Sequence, residues 1–412
     1  MASHVQPLSL GLPRIRIEPA EVRDFLPPFV QRAVEAGAQV LIETGYGSGM
    51  GFRDEDYASV SPFVKIVERA RAYAADIVLV LRLSPDTLDL LRPGTTFLAM
   101  LHFPTHRQRA KRLKEIGVDA IALDLIVDDE GTRLVEDMKA VAWNGLDAAF
   151  KVLMRVQSDF HGLDRPPTRV TVLGAGMVGR HAVEAATKFG DRRRAKSLAC
   201  EGIPGVEVTT LGRNMTWDED YMRRRLRRTD LLVDATRRSD PSRPLIPHAW
   251  LEELPSHAVI CDLAVDPYLQ DEDPPAVRGI EGIPMGDIGN TAFSPDDPEW
   301  DALPPVVPTN NRRWVVSCYG WPGLRPVESM THYGAQVEQL LKELIGRGGA
   351  RFLRPTGSLL ERALYRGSLA ANYGMNVPYP GSGTTVGVWS SAALIVGMTI
   401  GLYALFRSRD CL

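Results

Sequence analysis

The sequence predicts an α/β fold built from two domains with parallel sheets, followed by a C-terminal hydrophobic helix. Three observations predict it. Strand-like and helix-like segments alternate over the first 145 residues; a glycine-rich strand–turn–helix pattern near residue 174 starts a second α/β unit; and residues 386–406 carry no charge. A chain of 412 residues is long enough to bury two cores.

In the first unit, short apolar runs at 38–43, 77–81, 96–101 and 120–123 read as buried strands. Between them, 20–36, 62–75 and 105–116 place apolar residues at helical spacing. The second unit opens with a strand at 169–173, and strands follow at 206–211, 231–235 and 258–263. A helical pattern returns over 327–345, after Pro326, and 346–385 reads as loosely structured, ending in a Pro/Gly/Ser/Thr spacer. Trp143-Asn144-Gly145 and the stretch from Trp321 to Pro326 read as loops that shape a pocket. These boundaries give domains at 1–145 and 146–320, a returning helix at 321–350, a linker at 351–385 and the helix at 386–406. Residues 386–406 are long enough to span a bilayer, with Trp389 and Tyr403 near the two ends and Gly397 and Gly401 in a GxxxG pattern. A cytosolic body anchored to a membrane at its C-terminus is therefore expected, with Arg407 and Arg409 beyond the span.

Composition is globular, at 44% hydrophobic and 24% charged residues with a net charge of −3, and it points to no nucleic-acid partner. Only eight of the 48 basic residues are lysine, so a single arginine carries little information and the run at 223–228 reads as a solvated helix face. Cys200, Cys261, Cys318 and Cys411 lie far apart, without metal spacing, and read as reduced thiols. No secretory signal is legible at the N-terminus.

Between the strand at 169–173 and an apolar helical pattern stand Gly174-Ala175-Gly176-Met177-Val178-Gly179. The first glycine permits a tight turn and the second lets backbone approach a pyrophosphate. The third lets helix and strand pack closely, with the diphosphate at the helix's positive end. The unit therefore reads as a Rossmann-type dinucleotide-binding domain. The strand at 206–211 should end in an acid that binds the ribose 2′-OH, but it runs into Gly212-Arg213-Asn214. Without the carboxylate, and with Arg213 able to pair with a 2′-phosphate, NADP is expected ahead of NAD.

These motifs, with those of the N-terminal unit, resemble the family of alanine dehydrogenase and the nicotinamide nucleotide transhydrogenase N-terminal region, with saccharopine-type dehydrogenases as relatives. The resemblance rests on Arg14-Ile-Arg-Ile-Glu-Pro19, on Glu43-Thr44-Gly45-Tyr-Gly47-Ser-Gly49 with Asp54-Glu-Asp56-Tyr57, on Ala75-Asp76, on Leu91 to His102, and on Cys261-Asp262-Leu-Ala-Val-Asp266. It covers roughly residues 8–345.

The resemblance implies two Rossmann-like domains around an interdomain cleft, a chain returning to its first domain, and a homo-oligomer. It also implies hydride transfer between a nicotinamide and the C–N centre of an amino acid or imine, with an amino acid or 2-oxo acid as substrate. Arg14 would clamp the substrate carboxylate, with Arg16 close enough to take the role. His102 would be the general acid/base and Asp266 a carboxylate near the nicotinamide. Two departures stand out. Arg82 falls where the family has a catalytic lysine, and it can hold an oxygen but cannot act as a base. The Lys-Glu pair preceding the family's arginine is replaced by Leu10-Gly-Leu-Pro13. Two alternatives follow: a regulatory nucleotide-binding module with weakened catalysis, or a transhydrogenase-like NAD(P)(H)-binding component.

Overall fold

The computed structural model describes residues 7–372 apart from 19, 85, 105, 161–164, 190–204, 239 and 271–273. The first sheet holds β1 (Ser9–Leu12), β2 (Gln39–Glu43), β3 (Val64–Val67), β4 (Ile77–Arg82), β5 (Thr96–Met100) and β6 (Asp119–Ala122). They are all parallel, in the order β3-β2-β1-β4-β5-β6. Every residue of β4 is buried, as expected of a central strand covered on both faces.

The second sheet holds β7 (Thr168–Leu173), β8 (Val206–Leu211), β9 (Leu231–Asp234), β10 (Val259–Asp262), β11 (Ala292–Phe293) and β12 (Trp314–Ser317). Its order is β11-β12-β10-β9-β7-β8, and only the β11–β12 pairing is antiparallel. The parallel strands of both sheets direct their C-terminal ends toward the loops that carry the site residues, where ligands of such sheets bind.

Two long helices link the domains. The helix Met138–Val156 starts where the Asp137 side chain accepts a hydrogen bond from the Ala140 N–H at 3.3 Å. Ala142, Leu146, Ala149, Phe150 and Leu153 form its buried face, which packs with Trp321 against the second sheet. It lies so close to β10 that a Cβ on Gly145 would sit 2.2 Å from Leu263 Cδ2. The helix Pro326–Arg347 returns to the first domain, burying Met330, Tyr333, Val337, Leu340 and Leu344 in its core.

Several local expectations change. Trp143, Asn144 and Gly145 lie within a helix, not a loop, and Asn144 Nδ2 donates to the Trp321 carbonyl at 2.9 Å. Residues 62–75 divide into β3, which pairs with β2, and the helix Arg69–Tyr73. The pattern at 20–36 yields a helix only over Pro27–Glu35, because proline suits a first helical turn but not an interior. After residue 346 the chain is not loose: Leu359–Gly367 is a helix capped by Ser358, with Ala363 and Leu364 buried in the first core. The segments 190–204 and 386–406 lie outside the described residues. Among the described residues, no helix is long and apolar enough to cross a membrane.

Candidate active site

Gly174 follows β7 with φ at 98°, a left-handed backbone that glycine accepts at little steric cost. A Cβ on Gly174 would lie 2.7 Å from the Ala235 carbonyl oxygen, and one on Gly179 would lie 2.0 Å from the Gly174 oxygen. At Gly176 a Cβ would meet nothing within 4 Å, and Ala175, Gly176 and Met177 are exposed. The turn is thus packed tightly below and open above. It leads directly into the helix Met177–Phe189, whose first N–H groups lack intrahelical partners, so the cradle fits a diphosphate. Val178 packs against the second core. Arg213 and Asn214, both exposed, start a short helix after β8, the strand paired with β7 through Leu173 and Leu211.

In the first domain His102 stands just beyond β5 with φ at 48°, a conformation uncommon outside glycine. Asp124, just beyond β6, positions it. Its Oδ1 accepts from the Leu101 N–H at 2.9 Å and the His102 N–H at 3.2 Å, and its Oδ2 lies 3.4 Å from His102 Nδ1. Burial alone would raise the Asp124 carboxyl, but the His102 charge and these hydrogen bonds hold it well below the usual carboxylate range. An ionised Asp124 therefore orients an imidazole whose ring is 42% exposed. His106, on the next turn of chain, is held down to about 4 by burial and by Arg109, so it is neutral at physiological pH.

A bulge between Leu79 and Arg82 shifts the β4–β5 register. The Arg82 Nη1 reaches Glu21 Oε2 at 2.8 Å and Glu18 Oε1 at 3.2 Å, and its guanidinium lies 4.4 Å from the centre of the Tyr319 ring. Its Nη2 is buried and has no hydrogen-bond partner among the described residues. Arg14 sits on the glycine-rich loop: a Cβ on Gly45 would be 3.1 Å from Arg14 Nη1, and Nη2 donates to Ser48 Oγ at 3.3 Å. Glu43 accepts from the Arg14 main chain at 2.8 Å and is ion-paired with Arg16 and Arg69, which leaves Arg16 committed. Arg14 lines a cavity of about 360 Å³ with Arg16, Glu18, Glu21 and Asp24. Burial pushes the Asp24 carboxyl up to about 7 although the Gly47 N–H donates to it at 2.8 Å.

Asp266 is held on its own domain: Arg238 Nε and Nη2 both donate to its Oδ2, at 3.1 and 2.8 Å. Asp262 is paired with Arg278 and accepts from the Val265 N–H at 2.8 Å. The two halves of the cleft approach each other where Arg133, after β6, feels both Asp124 and Arg237. Arg237 is two residues beyond Ala235, whose carbonyl closes over Gly174. Sequence reasoning missed Asp124, Glu18, Glu21 and Tyr319, because each gains its role from a partner distant in the chain.

Asp234, at the end of β9, is completely buried. Its Oδ1 accepts from Thr236 N at 3.0 Å and Oγ1 at 2.7 Å, while Oδ2 has no partner among the described residues. Burial and the charge of Asp262 push its carboxyl up to about 7 from an ordinary 3.8. The unfolded chain ionises this group near the lower value and the folded protein near the upper one, so stability falls as pH rises between them. Asp234→Asn removes that loss. Its melting temperature relative to wild type should therefore rise between about pH 4 and about pH 7, and level off above, in scanning calorimetry. A difference constant with pH would contradict the assignment.

A glycine cradle on one parallel sheet, facing a second α/β domain with an oriented histidine, defines a two-domain, nucleotide-dependent oxidoreductase class. Residues 17–142 match the model of the Alanine dehydrogenase/PNT N-terminal domain and residues 141–267 that of its C-terminal domain, and the chain belongs to this family. Alanine dehydrogenase from Bacillus subtilis (strain 168) is 26% identical over 281 residues, 62% of this chain and 70% of that protein. The fold is similar to a solved L-alanine dehydrogenase, with a TM-score of 0.64 at 20% identity, over 88% of this chain and 94% of the other. The transhydrogenase from Sinorhizobium meliloti gives 0.54 at 17% identity, over 85% and 100%.

Proposed function

We propose that this protein is an NAD(P)-dependent amino-acid dehydrogenase that interconverts an amino acid with its imine and 2-oxo acid. The oriented His102–Asp124 pair carries the reading, because a protein that only binds nucleotide does not need a positioned acid/base group. A bound nicotinamide supplies the hydride donor or acceptor. In the reductive direction, Arg14 and the unpartnered Nη2 of Arg82 hold the substrate carboxylate, which fixes the face presented to the coenzyme. Protonated His102 gives its Nε2 proton to the leaving hydroxyl as the carbinolamine loses water. Asp124 holds the opposite ring nitrogen and stabilises the imidazolium. Asp266, tied to Arg238, supports the loops around the nicotinamide rather than moving a proton.

Arg213 at the end of β8 favours NADPH, since it offers a cation where an acid would repel the 2′-phosphate. The test is coenzyme oxidation by the full chain with 2-oxo acids and ammonia, together with the variant Arg213→Asp. Turnover in wild type and at least a roughly tenfold weaker Kd for NADPH in the variant, with NADH little changed, are expected. Tight coenzyme binding without turnover on a broad panel would overturn the enzymatic reading. Equal weakening of both coenzymes would remove the 2′-phosphate role.

A further inference from the structure

The cavity beside Arg14 is lined by three carboxylates, Glu18, Glu21 and Asp24, and they are not held alike. Glu18 and Glu21 both reach Arg82 Nη1, and Glu21 also pairs with Arg23 at 2.6 Å. Asp24 is 6% exposed, and among the described residues no arginine, lysine or histidine lies within ion-pair distance of it. Its Oδ2 accepts from the Gly47 N–H at 2.8 Å. The main chain that follows is pinned on both sides: the Phe25 N–H donates to Tyr46 Oη at 2.8 Å, and the Phe25 carbonyl accepts from Tyr57 Oη at 3.0 Å. Both tyrosines are buried, so the carboxylate is fixed beside the cavity.

The loop that Asp24 holds is also the loop that holds Arg14. A Cβ on Gly45 would lie 3.1 Å from Arg14 Nη1, Ser48 Oγ accepts from Arg14 Nη2 at 3.3 Å, and Gly47 stands between those two residues in the chain. Gly49 closes the loop onto the Asp24 segment, since a Cβ there would meet Val22 Cγ1 at 2.4 Å. Burial pushes the Asp24 carboxyl up to about 7; the Gly47 and Ile15 N–H groups and the Arg14 charge oppose the push, and Glu43 adds to it. Tyr46 and Tyr57 face it as neutral phenols, raised by burial, while Arg16 is committed to Glu43. A carboxylate arriving on Arg14 neutralises the cation that helps keep Asp24 ionised. It also brings a like charge into the same cavity of about 360 Å³. Both changes favour the protonated form of Asp24.

We propose that Asp24 is a positioning residue for the substrate: it sets Arg14 through the loop at 45–49, and it takes up a proton when a carboxylate occupies the cavity. This rests on the proposed function, in which Arg14 binds the α-carboxylate. By linkage, proton uptake on binding means that affinity for the carboxylate falls as pH rises through neutrality. The full chain is titrated calorimetrically with pyruvate at saturating NADP⁺, a pair that transfers no hydride, in two buffers of different ionisation enthalpy.

Wild type should take up about half a proton per pyruvate at pH 7, and its Kd should rise about 5- to 10-fold between pH 6 and pH 8. Asp24→Asn keeps an oxygen for the Gly47 N–H and loses the charge. It should bind pyruvate without that proton and with nearly the same Kd at both pH values. A variant that binds more weakly by one factor at every pH, with the proton uptake intact, would reduce Asp24 to a structural role and overturn the inference. So would a pH-independent Kd in wild type, which needs no variant to read; turnover of 2-oxo acids alongside it would leave the dehydrogenase reading standing. Uptake that survives in Asp24→Asn and vanishes in His102→Asn or Glu18→Gln would assign the proton elsewhere and refute the proposal. Absence of pyruvate binding at every pH would refute both the proposal and the Arg14 clamp.

Discussion

His102→Asn lowers kcat by roughly 10²–10⁴-fold, the range by which a positioned acid/base group accelerates proton transfer. Asparagine suits the test because it tolerates the left-handed backbone that His102 adopts, so the β5 end keeps its shape. The melting temperature should stay near that of wild type, and the Kd for coenzyme should be unchanged, since the cradle lies on the other domain. Asp124→Asn should give a smaller fall in kcat. It keeps an oxygen able to accept from the Leu101 and His102 N–H groups but removes the charge that stabilises the imidazolium. A steady-state comparison of kcat and KM in both variants checks this. A His102→Asn enzyme as fast as wild type would remove the histidine from the mechanism.

The second large effect is expected at the turn. Gly179→Ala places a Cβ 2.0 Å from the Gly174 carbonyl oxygen, a backbone atom that can move only by deforming the cradle. The resulting overpacking is worth about 1–3 kcal/mol, so coenzyme affinity should fall roughly 10- to 100-fold. Gly176→Ala is the control within the same motif, because its Cβ meets nothing within 4 Å of the protein itself. It should leave the melting temperature unchanged and lose affinity only through contact with bound coenzyme. Fluorescence titration with NADPH, beside a melting curve for each variant, separates the two causes. Unaltered binding by Gly179→Ala would mean that the turn does not hold the diphosphate.

The parallel sheets were legible because strands buried on both faces leave continuous apolar runs, as at β4, β5, β9 and β10. Where context decides, the pattern fails. β1 is only four residues long and includes Gly11, whose Cβ would lie 1.9 Å from the Ala72 carbonyl oxygen. That glycine belongs to a close approach of the helix Arg69–Tyr73, which no local spacing reveals. β3 is hidden inside an apolar stretch that suits a helix equally well.

The glycine turn announces itself because a single local segment contains its whole geometry. The substrate side does not, since Arg82 meets Glu18 and Glu21 from 64 and 61 residues away, and Asp124 meets His102 from 22. The resemblance pointed to Arg14, Arg82, His102 and Asp266. The ion pairs that commit Arg16 to Glu43 and Asp266 to Arg238 appear only in three dimensions.

The most direct measurement follows a labelled hydride. The full chain is incubated with NADPH carrying deuterium at the transferable C4 position, a 2-oxo acid and ammonia, and the amino-acid product is examined by NMR and mass spectrometry. The account predicts deuterium at Cα of the product, at the same rate as coenzyme oxidation. Coenzyme that binds but never loses its label, or that passes it to a second nicotinamide nucleotide instead of to carbon bearing nitrogen, would contradict it.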